Sequence, residues 1–465
     1  MRYSEMTRKE LLNEKNSLEI KFKELKEKNL NLNMARGKPG KRQLDLVSGL
    51  LDVLVDPADC KLGNTDIRNY GETSGMPEAK KYFSEILGVK ESECFIGGNA
   101  SLQLMYMAIC EAFTNGLLNS EKPWFKLDKI KWLCPVPGYD RHFKITEKLG
   151  FEMINIPMLE TGPDMDLVEE LVKDESVKGM WNVPKFSNPQ GIIYSDETVR
   201  RLAALKPAAK DFMLIWDNAY CVHEFDGDYV EFPDIIGLCK EYGNPNMAYE
   251  FASTSKVTFP GAGISVMAAS EDNIKYLTKS FGVQIISFDK VNQIRHVRFL
   301  KDKANTLALM REHAKIMKPK FDTVIKYLER EIAPLGIGSW MIPKGGYFVS
   351  YNAMKNTAKR VLELAKEAGV EMTPAGATFP YENDPEEDTR RTVVDPLWKA
   401  LSSLQPDAVL PAPSRSTTAT SCSVLTIPHL ALAVQFTGAS TTGMALVLND
   451  SDEALGTPEH SEAWL

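Results

Sequence analysis

Short apolar runs alternate with helical stretches between about residues 60 and 315, and this alternation constrains the fold more than any other feature of the chain. Each run is followed by a turn and then by a segment with helical spacing of its apolar residues. Such a pattern is typical of βα units, which build a largely parallel sheet with helices on both faces. We therefore predict an α/β fold with a mostly parallel, seven-stranded sheet whose strands are the runs 93–98, 129–134, 150–157, 177–184, 212–217, 248–253 and 263–270.

The segments on either side of this region have a different pattern of apolar and charged residues. Residues 7–30 form a charged amphipathic pattern, which predicts a helix that packs on the main body or crosses to a partner subunit. A predicted hairpin over 336–352, followed by a helix over 354–368, indicates a smaller α+β lobe. The predicted organisation is an N-terminal arm with part of the small domain (1–60), a large ligand-binding domain (61–315), a small C-terminal domain (316–391) and an atypical tail (392–465).

The tail from Thr392 to Leu465 is rich in Ser, Thr, Ala, Pro and Leu, and only 9 of its 74 residues are charged, against 25% for the whole chain. It has no long amphipathic period. A natural extension and a reading-frame shift near Arg390 are the two explanations. Both predict a segment that packs poorly on the small lobe and is disordered or protease-sensitive.

Composition excludes several functional classes. The 465 residues carry a net charge of −8, so nothing favours binding to nucleic acid or to an anionic membrane. The seven cysteines are scattered and form no CxxC pair, which predicts neither a disulfide framework nor a metal site. No stretch of 18 apolar residues occurs, and the charged N-terminus has no apolar signal region. We therefore expect a cytoplasmic protein.

Polar and aromatic residues follow the predicted strands at the point where each strand ends. Because ligands bind beyond the carboxyl ends of the strands in open α/β sheets, we expect these residues to meet. Asn99, Ala100 and Ser101 open a helix, whose free N–H groups suit an anion. The other strand ends contribute Tyr139 or Phe143 as an aromatic face, Asn188, Asp217, Tyr220, Ser253, Ser255 and Lys256.

Together these groups would suit a phosphorylated, flat, cationic heteroaromatic ligand with an aldehyde. Phosphate would take the helix N-terminus and the serines, a protonated ring nitrogen would take Asp217, and the aldehyde would take Lys256 as a Schiff base. Pyridoxal 5′-phosphate has these properties. Each residue alone has an ordinary explanation: Asp217 as a helix cap, Asn188 as a turn residue, and the serines as loop caps.

The sequence resembles the fold-type I aminotransferases that depend on pyridoxal phosphate, and most closely the bacterial aspartate aminotransferase branch called subgroup Ic. The resemblance covers roughly residues 30–380 and ends near residue 391. The matching stretches are "ARGKPG", "NYGETSGMPEAKKYF", "GGNASLQLMY", "CPVPGYDRHF", "NVPKFSNPQG", "LIWDNAY", "STSKVTFPGAG" and "PKGGYFVSY".

The resemblance implies a role for each matching residue. Lys256 is similar to the Schiff-base lysine and Asp217 to the carboxylate on the ring nitrogen, while Tyr220 and Asn188 correspond to donors to the ring oxygen. Lys256, Asp217 and Tyr220 form the implied catalytic set. Further implied contacts are Asn99, Ala100, Ser101, Ser253 and Ser255 to phosphate, Tyr139 (with Phe143 second) to the ring face, Tyr70 from the neighbouring subunit to phosphate, and Gly37, Asn188 and Arg391 to the substrate.

Two positions depart from the family pattern. Many of these enzymes have a phosphate-binding arginine eight residues after the lysine, where this chain has Ile264. The arginine that holds the substrate carboxylate corresponds best to Arg391, with Arg390 as the alternative, but the sequence after it does not match.

The resemblance implies an aminotransferase that moves an amino group between aspartate or glutamate and a 2-oxo acid by a ping-pong mechanism, as a homodimer with shared active sites. A second substrate carboxylate would need another cation. The candidate cations are Arg36, Lys38, Lys41, Lys290, Arg295 and Arg298.

Three alternative functions remain. They are a lyase or decarboxylase on the same fold, a catalytically impaired copy, and an effector-sensing domain of a transcription regulator. The last is disfavoured because the first 30 residues are too few for an added DNA-binding domain.

Overall fold

The computed structural model describes residues 2–34, 37–374, 376–384 and 443–447. No helix in this described part is long and apolar enough to cross a membrane. The helices are α1 Arg8–Glu27, α2 Lys41–Leu46, α3 Pro77–Leu87, α4 Ser101–Thr114, α5 Asp140–Lys148, α6 Met165–Leu171, α7 Asp196–Ala203, α8 Ile235–Glu241, α9 Glu271–Phe281, α10 Lys290–Leu300, α11 Lys303–Tyr327 and α12 Ala358–Glu367. The strands are β1 Leu32–Asn33, β2 Lys61–Leu62, β3 Thr65–Asp66, β4 Cys94–Gly97, β5 Lys131–Val136, β6 Glu152–Leu159, β7 Gly162–Pro163, β8 Val177–Asn182, β9 Met213–Asp217, β10 Ala248–Ser253, β11 Ser265–Ala269, β12 Gly338–Trp340, β13 Phe348–Ala353, β14 Val370–Glu371 and β15 Gly443–Val447.

The main sheet has the strand order β4-β11-β10-β9-β8-β5-β6-β7. Neighbouring strands from β10 to β6 run parallel, and β11 lies antiparallel between β10 and β4. Seven of these strands are the predicted ones, which confirms the α/β sheet. The eighth strand, β7, was not predicted, because it is a two-residue return that pairs antiparallel with the end of β6.

Helices cover both faces of this sheet, as the alternating pattern predicts. On one face α3, α6, α7, α8 and α10 pack on the sheet around residues such as Phe83, Val199 and Ile294. On the other face α4, α5 and α9 enclose an aromatic-rich core that includes Trp132 and Phe281. The sheet is therefore buried on both sides, which explains why its strands are continuous apolar runs.

Local signals in the sequence set the ends of the helices. Thr7 caps α1 by accepting from the Glu10 backbone N–H, and the Glu10 side chain accepts from the Thr7 N–H at 2.8 Å. Helix α3 begins at Pro77, where a missing N–H costs nothing, and ends at Leu87, after which Gly88 adopts the left-handed conformation (φ 76°).

The smaller lobe contains the sheet β12-β13-β15, helix α12 and the second half of α11. Strand β1 joins this lobe by pairing in parallel with β14, so the segment after α1 belongs to it. Helix α11 passes without a break through the predicted domain boundary at residue 315. Of the predicted atypical tail, 443–447 pairs antiparallel with β13, and the rest lies outside the described residues.

Candidate active site

The carboxyl ends of β4, β5, β8, β9 and β10 meet at one edge of the main sheet, and the predicted site residues that end or follow these strands lie there. Asp217 ends β9 and pairs in register with Phe251 of β10. Ser253 ends β10, and Lys256 lies in the turn that follows. Main-chain pairing of two neighbouring strands therefore brings the carboxylate and the lysine to the same edge.

The Lys256 amine lies over the ring of Tyr220, with 4.9 Å from its Nζ to the ring centroid. Burial lowers the pKa of Lys256, and the nearby Asp217 charge acts in the opposite direction. A lowered lysine pKa increases the fraction of neutral amine, which is the nucleophilic and basic form.

Asp217 is buried, and only one of its carboxylate oxygens has a hydrogen-bond partner in the described part of the chain. Its Oδ2 atom lies 3.0 Å from Nε2 of His142, and the Asp217 side chain is 6% exposed. Its Oδ1 atom is buried and has no hydrogen-bond partner among the described residues. Because a buried carboxylate oxygen without a partner is costly, this atom is suited to an N–H group of a ligand.

His142 is a residue of this site that the sequence reasoning missed. It lies in the first turn of α5 and stacks on Trp181, with ring centroids 4.3 Å apart and planes 6° apart. The stack and the hydrogen bond together hold its ring against Asp217. The available signal was its position in "PGYDRHF", three residues after Tyr139, where it returns to the sheet after one helical turn.

The two aromatic candidates differ in their position. Tyr139 immediately precedes α5, is half-buried and lies edge-on to His142 at 5.0 Å. Phe143 is 3% exposed and belongs to the core, and a Cβ atom at Gly138 would lie 2.8 Å from its Cζ atom. Tyr139 therefore lies at the edge, whereas Phe143 packs beneath it.

Tyr220 and Asn188 approach the same edge from two loops. Burial raises the pKa of Tyr220 well above its usual value, with smaller contributions from Tyr139 and Asp217, so its hydroxyl stays neutral and can donate. Asn188 lies on a turn before a cis peptide bond to Pro189 and lines a small cavity shared with Tyr139 and His142.

The predicted phosphate cradle is formed where α4 begins beside the Lys256 turn. Ala100 precedes the first helical residue, Ser101. The Ser255 hydroxyl donates to the carbonyl of Asn99, and the Asn99 side-chain amide donates to the carbonyl of Pro260 at 3.3 Å. The two loops are thus tied together, and the N–H groups of a 14-residue helix open between them.

The remaining substrate and partner candidates are placed as follows. Tyr70 is 80% exposed. Gly37 lies so close to the small lobe that a Cβ atom there would be 2.9 Å from Cβ of Tyr347. Arg391, its alternative Arg390 and the cation candidate Arg36 lie outside the described residues.

Among the residues that the structure describes, the other candidate cations have partners, apart from the exposed Lys38. Lys290 is buried and donates to the Tyr70 carbonyl at 3.0 Å. Arg298 lies 3.3 Å from the Asp59 carboxylate, and Arg295 donates to Oδ1 of Asn292 at 2.6 Å. Lys41 pairs with Asp45 on the surface. No described group of three or more His, Cys, Asp or Glu residues is placed to hold a metal ion.

The fold is that of the fold-type I aminotransferases. The chain belongs to the aspartate amino-transferase family, whose model matches residues 6–406, a match that ends somewhat beyond the predicted limit near 391.

Two similar proteins and one solved structure agree with this family. The chain is 46% identical over 372 residues to an aspartate aminotransferase of Corynebacterium glutamicum, covering 80% of this chain and 86% of the relative. It is 44% identical over 412 residues to a Mycolicibacterium smegmatis protein named as a putative aminotransferase, covering 88% and 96%. The crystal structure of an aspartate transaminase from C. glutamicum superposes with a TM-score of 0.81 at 44% identity, covering 83% and 91%.

Proposed function

We propose that this aminotransferase acts on aspartate or glutamate with a 2-oxo acid as acceptor, by a ping-pong mechanism that uses pyridoxal 5′-phosphate. The observation that carries the proposal is the placement of Lys256 and Asp217 at the same edge of the sheet, with the Asp217 charge near enough to act on the pKa of Lys256 and with the buried Oδ1 atom of Asp217 lacking a partner among the described residues. The relatives' names support the choice of substrate.

The residues present fit this cofactor. Asp217 Oδ1 suits the ring N–H, the N-terminus of α4 with Ser255 suits the phosphate, and Tyr139 offers an aromatic face. Ser253 and Asn188 lie at the same edge. Pyridoxal phosphate, when bound, supplies an aldehyde that condenses with amines and a ring that accepts electrons.

The side chains then have separate tasks. The Lys256 amine moves a proton at the substrate α-carbon, a task helped by its lowered pKa. Asp217 keeps the ring nitrogen protonated, and His142 orients the carboxylate for this task. Tyr220 and Asn188 donate to the ring oxygen. Gly37 and Arg391 hold the substrate carboxylate.

We also propose a homodimer located in the cytoplasm. Support for the dimer comes from Tyr70, which is 80% exposed although its predicted contact is a phosphate group. The Tyr70 backbone is held by Lys290, so its ring is presented outward from a supported loop. Such a tyrosine would reach the phosphate site of a second copy.

A donor screen tests the proposed function. The purified enzyme with added cofactor is incubated with 2-oxoglutarate and each amino acid, and oxo-acid release is measured, with Lys256→Ala as the control. We expect aspartate to be the best donor in this direction and glutamate to be the best donor when oxaloacetate is the acceptor. Reaction with aromatic or aliphatic amino acids alone would refute the substrate assignment.

A further inference from the structure

The turn that carries Lys256 rests on three buried polar side chains outside the proposed catalytic set. Thr254 and Thr258 flank the lysine and are 2% and 0% exposed. His296 of α10 is 0% exposed and contacts Thr258. Its Nε2 atom lies 2.9 Å from the Thr258 hydroxyl, and its Nδ1 atom lies 2.8 Å from the carbonyl of Asn292.

These contacts determine the tautomer of His296. A carbonyl oxygen can only accept, so Nδ1 must carry the proton that it donates to Asn292. Burial lowers the pKa of His296 to about 4, so the ring is neutral near pH 7 and its Nε2 atom is an acceptor. The Thr258 hydroxyl must therefore donate to His296.

The direction of the remaining hydrogen bonds follows. The single proton of the Thr258 hydroxyl is donated to His296. The 3.1 Å contact between this hydroxyl and the Thr254 carbonyl therefore has no proton to share and is not a hydrogen bond. The Thr258 oxygen can then accept from the Thr254 hydroxyl at 3.3 Å, which is a shorter contact than the 3.5 Å from that hydroxyl to the Ile264 carbonyl, and the Thr254 oxygen accepts from the Ile264 N–H at 3.0 Å. A one-way chain of hydrogen bonds thus runs from the Ile264 N–H through the side chains of Thr254, Thr258 and His296 to the Asn292 carbonyl. It ties together the two ends of the 254–264 loop, which contains Lys256.

Helix α10 holds this loop at a second point and also contacts the segment from Tyr70 to Met76. The Asn292 amide donates to the carbonyls of Ala262 at 3.0 Å and Gly263 at 2.9 Å. At the next position, the Gln293 side chain accepts from the Met76 N–H at 2.8 Å. The buried face of α10 is therefore a common support for both loops.

We propose that His296 is a positioning residue for Lys256, acting through the one-way chain of Thr258 and Thr254 to hold the turn in place. The functional part of this inference rests on the proposed role of Lys256, whereas the structural tie does not. A substitution that removes the acceptor at His296 should loosen the 254–264 loop while the centre of the sheet stays intact.

Hydrogen exchange of the full-length enzyme, with and without pyridoxal phosphate, tests the tie. His296→Phe keeps a ring but removes the acceptor, and His296→Gln keeps an oxygen that can reach Thr258. The matched control is Thr306→Val, because Thr306 is 1% exposed and its hydroxyl bonds Tyr82 and Asp302, away from the loop.

We expect His296→Phe to increase exchange of the Ile264 amide about tenfold, the factor for loss of one buried hydrogen bond. The Ile215 amide in β9 should change far less. His296→Gln should stay near the wild-type value, and Thr306→Val should lower thermal stability without a selective change at Ile264. In the loaded enzyme, His296→Phe should lower kcat more than it changes KM and should move the pH midpoint of the cofactor's visible absorbance.

Equal acceleration at Ile264 and Ile215 in His296→Phe would show a merely structural residue and overturn the proposal. If that variant does not fold, Thr258→Val breaks the same link from the other side and must give the selective change. Selective exchange at Ile264 combined with full turnover by Lys256→Ala would support the tie while refuting the proposed function.

Discussion

Replacing His142 with phenylalanine should impair cofactor binding and turnover by removing one hydrogen bond while keeping the aromatic stack. The bond joins Nε2 of His142 to Oδ2 of Asp217 at 3.0 Å, and both side chains are buried. The phenylalanine ring would retain the contact that His142 makes with Trp181 at 4.3 Å. The change therefore isolates the orientation of the carboxylate.

The size of the effect follows from the kind of bond. A hydrogen bond to a charged group contributes about 1.5–3 kcal/mol, and each ~1.4 kcal/mol is a factor of ten. Since the other Asp217 oxygen has no partner among the described residues, no second protein contact there would hold the carboxylate in place before the cofactor binds. We expect a loss of roughly 10- to 150-fold, divided between cofactor affinity and kcat.

The assay measures the Kd of pyridoxal phosphate, kcat for aspartate and the thermal unfolding midpoint. His142→Gln is the matched control, because its amide can reach Asp217 but cannot stack on Trp181. We expect His142→Gln to retain more activity than His142→Phe even if its unfolding midpoint is lower. Cofactor affinity and kcat within twofold of wild type in His142→Phe would refute the reasoning.

Three further predictions concern single side chains. Lys256→Ala should abolish turnover with an unchanged circular dichroism spectrum, and near wild-type transamination would contradict its role. Asp217→Ala should lower kcat on the order of 10²-fold, measured at full cofactor occupancy, because a neutral ring is a poor electron acceptor. Burial raises the pKa of Glu250 to about 8, so the folded protein binds a proton that the unfolded chain has lost above pH about 5. The wild type should therefore lose stability relative to Glu250→Gln, by up to ~1.4 kcal/mol per pH unit, as pH rises towards 8; equal urea midpoints for the two proteins at every pH would refute this.

The sequence was sufficient to predict the sheet and its polar edge because both depend on local pattern. Buried strands are continuous apolar runs, and the residues that end or follow each run lie at the carboxyl edge of the sheet, where the structure places Asp217 and Lys256. Strand β7 was not predictable in this way, since two residues carry no period.

Residues that act through long-range contacts were harder to predict. His142 reads as an ordinary helical residue until α5 is packed on the sheet beside Trp181. Lys290 and Arg298 read as free cations in the sequence, but the structure gives them Tyr70 and Asp59 as partners, far away along the chain. The residue pattern of one segment does not show which other segment packs on it.

The register of β9 and β10 has a consequence for insertional mutagenesis. Main-chain pairing of Phe251 with Asp217 sets the distance between Asp217 and Lys256. This distance therefore does not depend on the length of the connection between the two strands. Extra residues beside Gly243, an exposed left-handed turn position (φ 83°), should leave catalysis intact. One extra residue within β10 would turn each later side chain to the opposite face. An insertion scan across residues 242–256, from the end of α8 through β10, should therefore change abruptly from tolerance to inactivity where β10 begins.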